Sequence, residues 1–130
     1  MSTFLYIEDS PDNLRLLCLM IQRLRPDAEV LTARTAEEGI HTALEKRPDL
    51  ILMDIDLPGM DGYEALIILR GMDSHRQVPV IAVSAHAMPE NIRKGLEAGF
   101  VAYITKPVNI QELHNTIRQF LPEKNAGPTN

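Results

Sequence analysis

The sequence predicts an α/β fold: a doubly wound parallel sheet with helices on both faces. Three observations predict it. Short apolar runs rich in β-branched residues alternate with segments of helical period, in the order βαβαβαβαβα. The runs "LILM" and "VIAV" are apolar on both faces rather than alternating, as strands covered on two sides must be. Helix-capping residues open most of the helical segments.

Taken in order, the strands are expected at Phe4–Ile7, Glu29–Ala33, Leu50–Met53, Val80–Val83 and Ala102–Thr105. Ser10 can cap a first helix, with Pro11 at its first position. Thr35 and Glu38 have capping-box spacing for a second helix, Asp61 and Glu64 for a third, and Asn109 and Glu112 for a fifth. A fourth runs from Pro89 to Ala98, and Gly99 fits a left-handed C-terminal cap. Gly71 follows the third helix, and the fifth stops before Pro122. Pro79 stands at a strand entrance, where a missing N–H costs little.

At 130 residues one domain is expected, with the domain over 1–121 and a loose polar tail, "PEKNAGPTN", over 122–130. The chain is 45% hydrophobic and 24% charged, enough to build a core without staples. Its one cysteine, Cys18, permits no internal disulfide and reads as a packing residue of an apolar helix. No basic n-region or long apolar run is present, so the cytoplasm is the expected compartment. A net charge of −5 without a Lys/Arg run argues against direct nucleic-acid binding.

Chemistry concentrates at the carboxyl ends of the expected strands, where open α/β sheets bind ligands. The first strand runs into Glu8 and Asp9, the third into Asp54, the fourth into Ser84 and the fifth into Lys106. The second, "VLTAR", adds no acid and is expected to lie outside the cluster. Asp54 reads as the first residue beyond the core. Three acids together cannot all ionise cheaply without counter-charge. Lys106 supplies one positive charge, and a hard divalent cation, Mg²⁺ or Mn²⁺, suits the remainder. A carboxylate, a cation, a hydroxyl and a lysine are the parts needed to receive a phosphoryl group.

The segments "YIEDSPDN", "LILMDIDLPGMDGYEA", "VPVIAVSAHAM" and "AYITKPV", in this order, resemble the response-regulator receiver domain of two-component and phosphorelay signalling, over about Phe4 to Leu121. The resemblance implies a flavodoxin-like (βα)5 sheet of strand order 2-1-3-4-5. It implies that Asp54 accepts phosphate from a histidine kinase or a histidine phosphotransfer protein. Asp9, Asp54 and the backbone carbonyl of Asp56, with Glu8 often through water, would hold the metal. Lys106 would pair with the phosphoryl group, and the Lys106–Pro107 bond would be cis. Ser84 and Tyr103 would be the switch pair reshaping the face of the fourth helix, fifth strand and fifth helix. Asp56 and His86 fall where the family tunes the lifetime of the phosphoaspartate. Such a domain is no enzyme on other substrates; it catalyses only its own phosphorylation and dephosphorylation. Glu8 replaces a frequent aspartate and Ser84 a frequent threonine, both with retained chemistry.

Simpler readings exist for single residues. Taken alone, Asp54 would be a helix or turn cap, Ser84 a turn hydroxyl, Lys106 a solvated surface lysine, Tyr103 a half-buried packing ring and His86 an exposed loop histidine. Their convergence on one sheet edge favours the site. Between Leu14 and Leu24 only Arg15, Gln22 and Arg23 are polar, a wider apolar surface than one core face needs, which suits a helical docking partner. Two rival functions stand beside the receiver. "DIDLP" resembles the nucleophile loop of haloacid-dehalogenase-type phosphohydrolases, with Asp56 as general acid, but there the nucleophile follows the first strand. A flavodoxin-like nucleotide binder would share the architecture, but "EDSPDN" lacks the glycines of a phosphate cradle. With no output domain expected after the fifth helix, the chain reads as a stand-alone regulator or a piece of a hybrid sensor kinase.

Overall fold

A computed structural model describes residues 2–75 and 77–122. The strands are β1 Thr3–Ile7, β2 Glu29–Ala33, β3 Leu50–Asp54, β4 Val80–Ser84 and β5 Ala102–Thr105. They alternate with α1 Pro11–Leu24, α2 Ala36–Lys46, α3 Gly62–Arg70, α4 Pro89–Ala98 and α5 Ile110–Phe120. One 3₁₀ turn, Asp73–His75, precedes β4. All pairings are parallel, and the order is β2-β1-β3-β4-β5. The fold is thus the flavodoxin-like sheet expected. Of the proposed tail, 123–130 lie outside the described residues.

The period-two alternation of a strand divides the core into two layers. Leu5, Ile7, Ile51 and Met53 point to one side, where Ala36 and Ala43 of α2 and Ala65, Leu66 and Leu69 of α3 pack against them. Phe4, Tyr6, Leu50, Leu52, Ile81 and Val83 point to the other, toward Leu17 and Ile21 of α1 and Leu113 and Ile117 of α5. Every residue of β3 and β4 is buried, which is why both strands read as apolar runs up to their last residue.

Capping explains the helix starts. Ser10 Oγ accepts the Asn13 N–H at 3.3 Å. Asp61 and Glu64 form a complete capping box. Thr35 accepts the Glu38 N–H at 3.0 Å, but Glu38 does not return to Thr35: its carboxylate takes the Arg34 N–H at 2.8 Å, one residue earlier. Asn109 accepts from both Gln111 and Glu112. The fourth helix begins at Pro89 without a side-chain cap, and Gly99 closes it at φ 118°, in the left-handed region that glycine adopts without Cβ strain.

Two boundaries differ from the sequence reading in a way that bears on the site. Asp54 and Ser84 are not beyond the core. Each is the last residue of its strand, in register with Val83 and Thr105, and they are 3% and 1% exposed. Backbone pairing with neighbours on the sheet carries β3 and β4 one residue further than their apolar runs. Among the described residues no helix is long and apolar enough to cross a membrane.

Candidate functional site

Parallel strands all deliver their carboxyl ends to one edge of the sheet, so residues distant in sequence meet there. Glu8, Asp9 and Asp54 each bring a carboxylate oxygen within 4.8 Å of the others. Glu8 is 1% exposed. Lys106, at the exit of β5, places Nζ 2.8 Å from Glu8 Oε1 and 3.2 Å from Asp54 Oδ2. One ammonium therefore serves two buried acids. Its backbone is fixed as well: the Lys106 N–H donates to the Ser84 carbonyl at 2.8 Å, and the following Lys106–Pro107 bond is cis.

The second oxygen of Asp54, Oδ1, accepts the Asp56 N–H at 2.9 Å. Its carboxyl pKa is pushed up to about 6. Burial is the largest cause, with the Asp56 N–H pulling down, the Glu8 charge pushing up and Lys106 pulling down again. Like-charge crowding, the cause expected from the sequence, is thus secondary to burial. Glu8 goes the other way. Burial would raise it, but hydrogen bonds from Lys106, Tyr6 and the Ser10 N–H hold it below the usual carboxylate range. Burial would lower Lys106, and its bond to Glu8 and the charges of both acids raise it instead.

The remaining predicted residues assemble beside this cluster. Ser84 Oγ donates to Asp56 Oδ2 at 3.0 Å and accepts the His86 N–H at 3.0 Å. His86 Nε2 lies 3.4 Å from Asp56 Oδ1. The Tyr103 hydroxyl donates to the His86 carbonyl at 2.8 Å. The Asp56 side chain is therefore engaged by Ser84 and His86, and only its backbone N–H touches Asp54. Gly95 lets the Tyr103 ring lie against α4: a Cβ there would stand 2.7 Å from Tyr103 Cδ2.

Two participants escaped the sequence reading. Tyr6 is fully buried and its hydroxyl donates to Glu8 Oε1 at 2.8 Å. The signal was present, since residues 6 and 8 share a strand face by period two. Burial and this bond to Glu8 push the phenol well above its ordinary range. The β2 end, expected to stand apart, contributes Arg34, whose guanidinium donates to the Asp9 carbonyl at 3.0 Å and so braces the backbone carrying that acid.

The donor set fits a hard divalent cation. Three carboxylates converge, two of them buried, and a single ammonium faces them. With a hydroxyl and a lysine at the same edge, this arrangement defines a signalling receiver, a domain built to take up a phosphoryl group. The chain belongs to the response regulator receiver domain family, whose model matches residues 4–118. It is 37% identical over 115 residues to the polar-differentiation response regulator DivK of Brucella anthropi, covering 88% of this chain and 92% of that one. It is 34% identical over 120 residues to the signal transduction histidine-protein kinase BarA of Escherichia coli K12, 92% of this chain but only 13% of the kinase. The chain thus spans about an eighth of the hybrid kinases it matches. Among solved structures, the receiver domain of sensor histidine kinase PA1611 from Pseudomonas aeruginosa aligns with a TM-score of 0.84 at 30% identity, covering 94% of this chain and 98% of that one. That structure holds a magnesium ion coordinated in its active-site cleft. Every one of these relatives is a receiver or carries one, and the phosphohydrolase reading finds no counterpart among them.

Proposed function

We propose that Asp54 is the phosphoacceptor of this receiver. The observation that carries it is the buried Asp54 carboxylate, 3.2 Å from Lys106 Nζ and grouped with Glu8 and Asp9. The donor is the phosphohistidine of a histidine kinase or a histidine phosphotransfer protein. An Asp54 oxygen forms the new P–O bond as the P–N bond breaks, and the departing imidazole nitrogen keeps the electron pair and takes a proton from solvent. The product is an acyl phosphate on Asp54.

Asp9, Asp54 and the Asp56 carbonyl, with Glu8 behind them, would hold Mg²⁺ or Mn²⁺. When bound, the cation neutralises charge on the phosphoryl oxygens. The chain's own groups do the rest. The Asp56 N–H orients the Asp54 carboxylate, and Lys106 stands ready to follow a phosphoryl oxygen. Tyr6 and Ser10 keep Glu8 ionised and aimed at Lys106. Ser84 and Tyr103 form the switch pair, and Asp56 and His86 tune the lifetime of the acyl phosphate. The domain turns over no other substrate.

Docking of the phosphodonor falls to α1. Leu17 and Ile21 of this helix are buried, whereas Leu16 and Leu19 are 51% and 57% exposed. Leu16 lines a small cavity of about 60 Å³ with Leu17, Met20, Val108 and Lys106, so an apolar surface leads directly to the site.

Intact mass after incubation with acetyl phosphate and Mg²⁺ tests the reading. One phosphoryl adduct is expected, absent without Mg²⁺ and absent in Asp54→Asn. A folded protein that forms no adduct and steadily hydrolyses small phosphate esters would overturn it in favour of the phosphohydrolase.

A further inference from the structure

A hydroxyl has one proton to give. That of Ser84 goes to Asp56 Oδ2 at 3.0 Å. The other oxygen of the same carboxylate lies 3.4 Å from His86 Nε2. The His86 N–H points back to Ser84 Oγ at 3.0 Å, and the His86 carbonyl receives the Tyr103 hydroxyl at 2.8 Å. Asp56, on the loop leaving β3, thereby holds Ser84 at the end of β4 and His86 in the loop that follows it, and through His86 it reaches the aromatic ring of β5. Tyr103 in turn packs against α4 at Gly95, where no side chain intervenes.

Ser84 cannot donate to Asp56 and to a phosphoryl oxygen on Asp54 at the same time. We propose that the Asp56 carboxylate is an intramolecular competitor for the Ser84 hydroxyl, a latch that holds Ser84, His86 and Tyr103 in the resting arrangement until a phosphoryl group on Asp54 takes the hydroxyl away. Asp56 is a positioning residue in this role: it acts through Ser84 and is distinct from the tuning of acyl-phosphate lifetime. The latch rests on the phosphoacceptor reading of Asp54. Its acceptor is anionic, so it makes the stronger kind of hydrogen bond, but the Asp56 side chain is 43% exposed and water competes for it.

Beryllofluoride, a tetrahedral phosphoryl mimic that bonds a carboxylate oxygen, reports the competition without turnover. Its affinity is measured in the presence of Mg²⁺ by ¹⁹F NMR titration of the wild type, Asp56→Ala, Ser84→Ala and the double variant. Removing the latch tightens binding by about 3- to 10-fold, as expected for loss of one competing hydrogen bond whose charged acceptor is weakened by water. In the Ser84→Ala background the same Asp56 substitution changes affinity by less than about twofold, because no hydroxyl is left to release. Asp56→Asn, which keeps an acceptor oxygen, stays nearer the wild type. Equal tightening in both backgrounds would overturn the latch, since removal of a negative charge near an anion would then explain everything. No tightening in either background would overturn it as well. A wild type that fails to bind beryllofluoride, or binds it undiminished after Asp54→Asn, would overturn the phosphoacceptor reading and the latch together. Wild-type binding that is lost in Asp54→Asn but unmoved by Asp56→Ala sinks the latch alone.

Discussion

Lys106 Nζ stands 3.2 Å from Asp54 Oδ2, a contact between the ends of two strands that are not adjacent in the sheet, with β4 between them. The same ammonium lies 2.8 Å from Glu8. Lys106→Met leaves two buried acids without it, and breaking a largely buried ion pair is costly. We expect a loss of about 2–4 kcal/mol in metal-free protein near neutral pH. Part of the loss is recovered toward about pH 5, where Asp54 takes up a proton. Urea denaturation of both proteins at the two pH values, in chelator, checks it; an equal loss at both would contradict the ionic origin.

Asp54 supplies the pH dependence. Its folded-state pKa, about 6, lies above the ordinary 3.8. The folded state therefore binds this proton more tightly than the unfolded state does. Ionised Asp54 thus costs stability above pH 6, the cost shrinks as pH falls through that value, and none remains below the ordinary pKa. Asp54→Asn should stabilise chelated protein by about 1–2 kcal/mol near pH 7.5, less than the full shift implies because Lys106 loses a partner. No gain is expected near pH 4. The opposite trend in melting temperature would refute the burial account.

Mg²⁺ needs deprotonated ligands, so its effect runs the same way. The rise in melting temperature on adding Mg²⁺ should be full above about pH 7 and fade below about pH 6 as Asp54 holds its proton. It should be largely lost in Asp9→Asn at any pH. A pH-independent rise, or one retained in Asp9→Asn, would place the ion elsewhere.

Gly62 opens α3 against the backbone of Asp54 and Ile55. A Cβ at this position would lie 2.8 Å from Ile55 Cα and 3.0 Å from the Asp54 carbonyl. Both neighbours are backbone and cannot swing aside. Gly62→Ala should destabilise by about 1–3 kcal/mol and slow adduct formation from acetyl phosphate. Gly71→Ala, whose nearest contacts are 3.5 Å away, serves as the control and should leave adduct formation unchanged.

Leu16 and Leu19 point away from the core. Leu16→Glu with Leu19→Glu should slow phosphotransfer from a phosphorylated histidine phosphotransfer domain by about tenfold, as expected of apolar anchors lost at a docking surface. Phosphorylation by acetyl phosphate, which needs no docking, should stay near the wild-type rate, and stability within about 0.5 kcal/mol. Equal slowing with both donors would remove α1 from the docking surface.

Much of this molecule was legible in its residues. Periodicity separated strands from helices because buried strands and amphipathic helices impose different repeats on the chain. Cap chemistry found Ser10, Asp61 and Asn109, since an N-cap is a local bond between residues three or fewer positions apart. Strand order and direction then carried Glu8, Asp9, Asp54, Ser84 and Lys106 to one edge. Where reading by pattern failed, the partner was remote. Arg34 reaches Asp9 across 25 residues, and nothing in "VLTAR" announces it.

By itself, the sequence determined the alternating α/β architecture and which residue types stand at the strand ends, because both follow from short-range hydrophobic period and capping. Tertiary structure alone decided how those groups divide their bonds. It buried Asp54 at the end of β3, so that desolvation rather than crowding sets its acidity. It gave Lys106 to Glu8 and Asp54 at once, and it turned the Asp56 carboxylate from the acid cluster toward Ser84 and His86. The physical reason is that a side chain's charge and hydrogen bonds depend on distances of a few ångströms between segments up to 98 positions apart, as from Glu8 to Lys106. Only the packed sheet brings such segments to those distances.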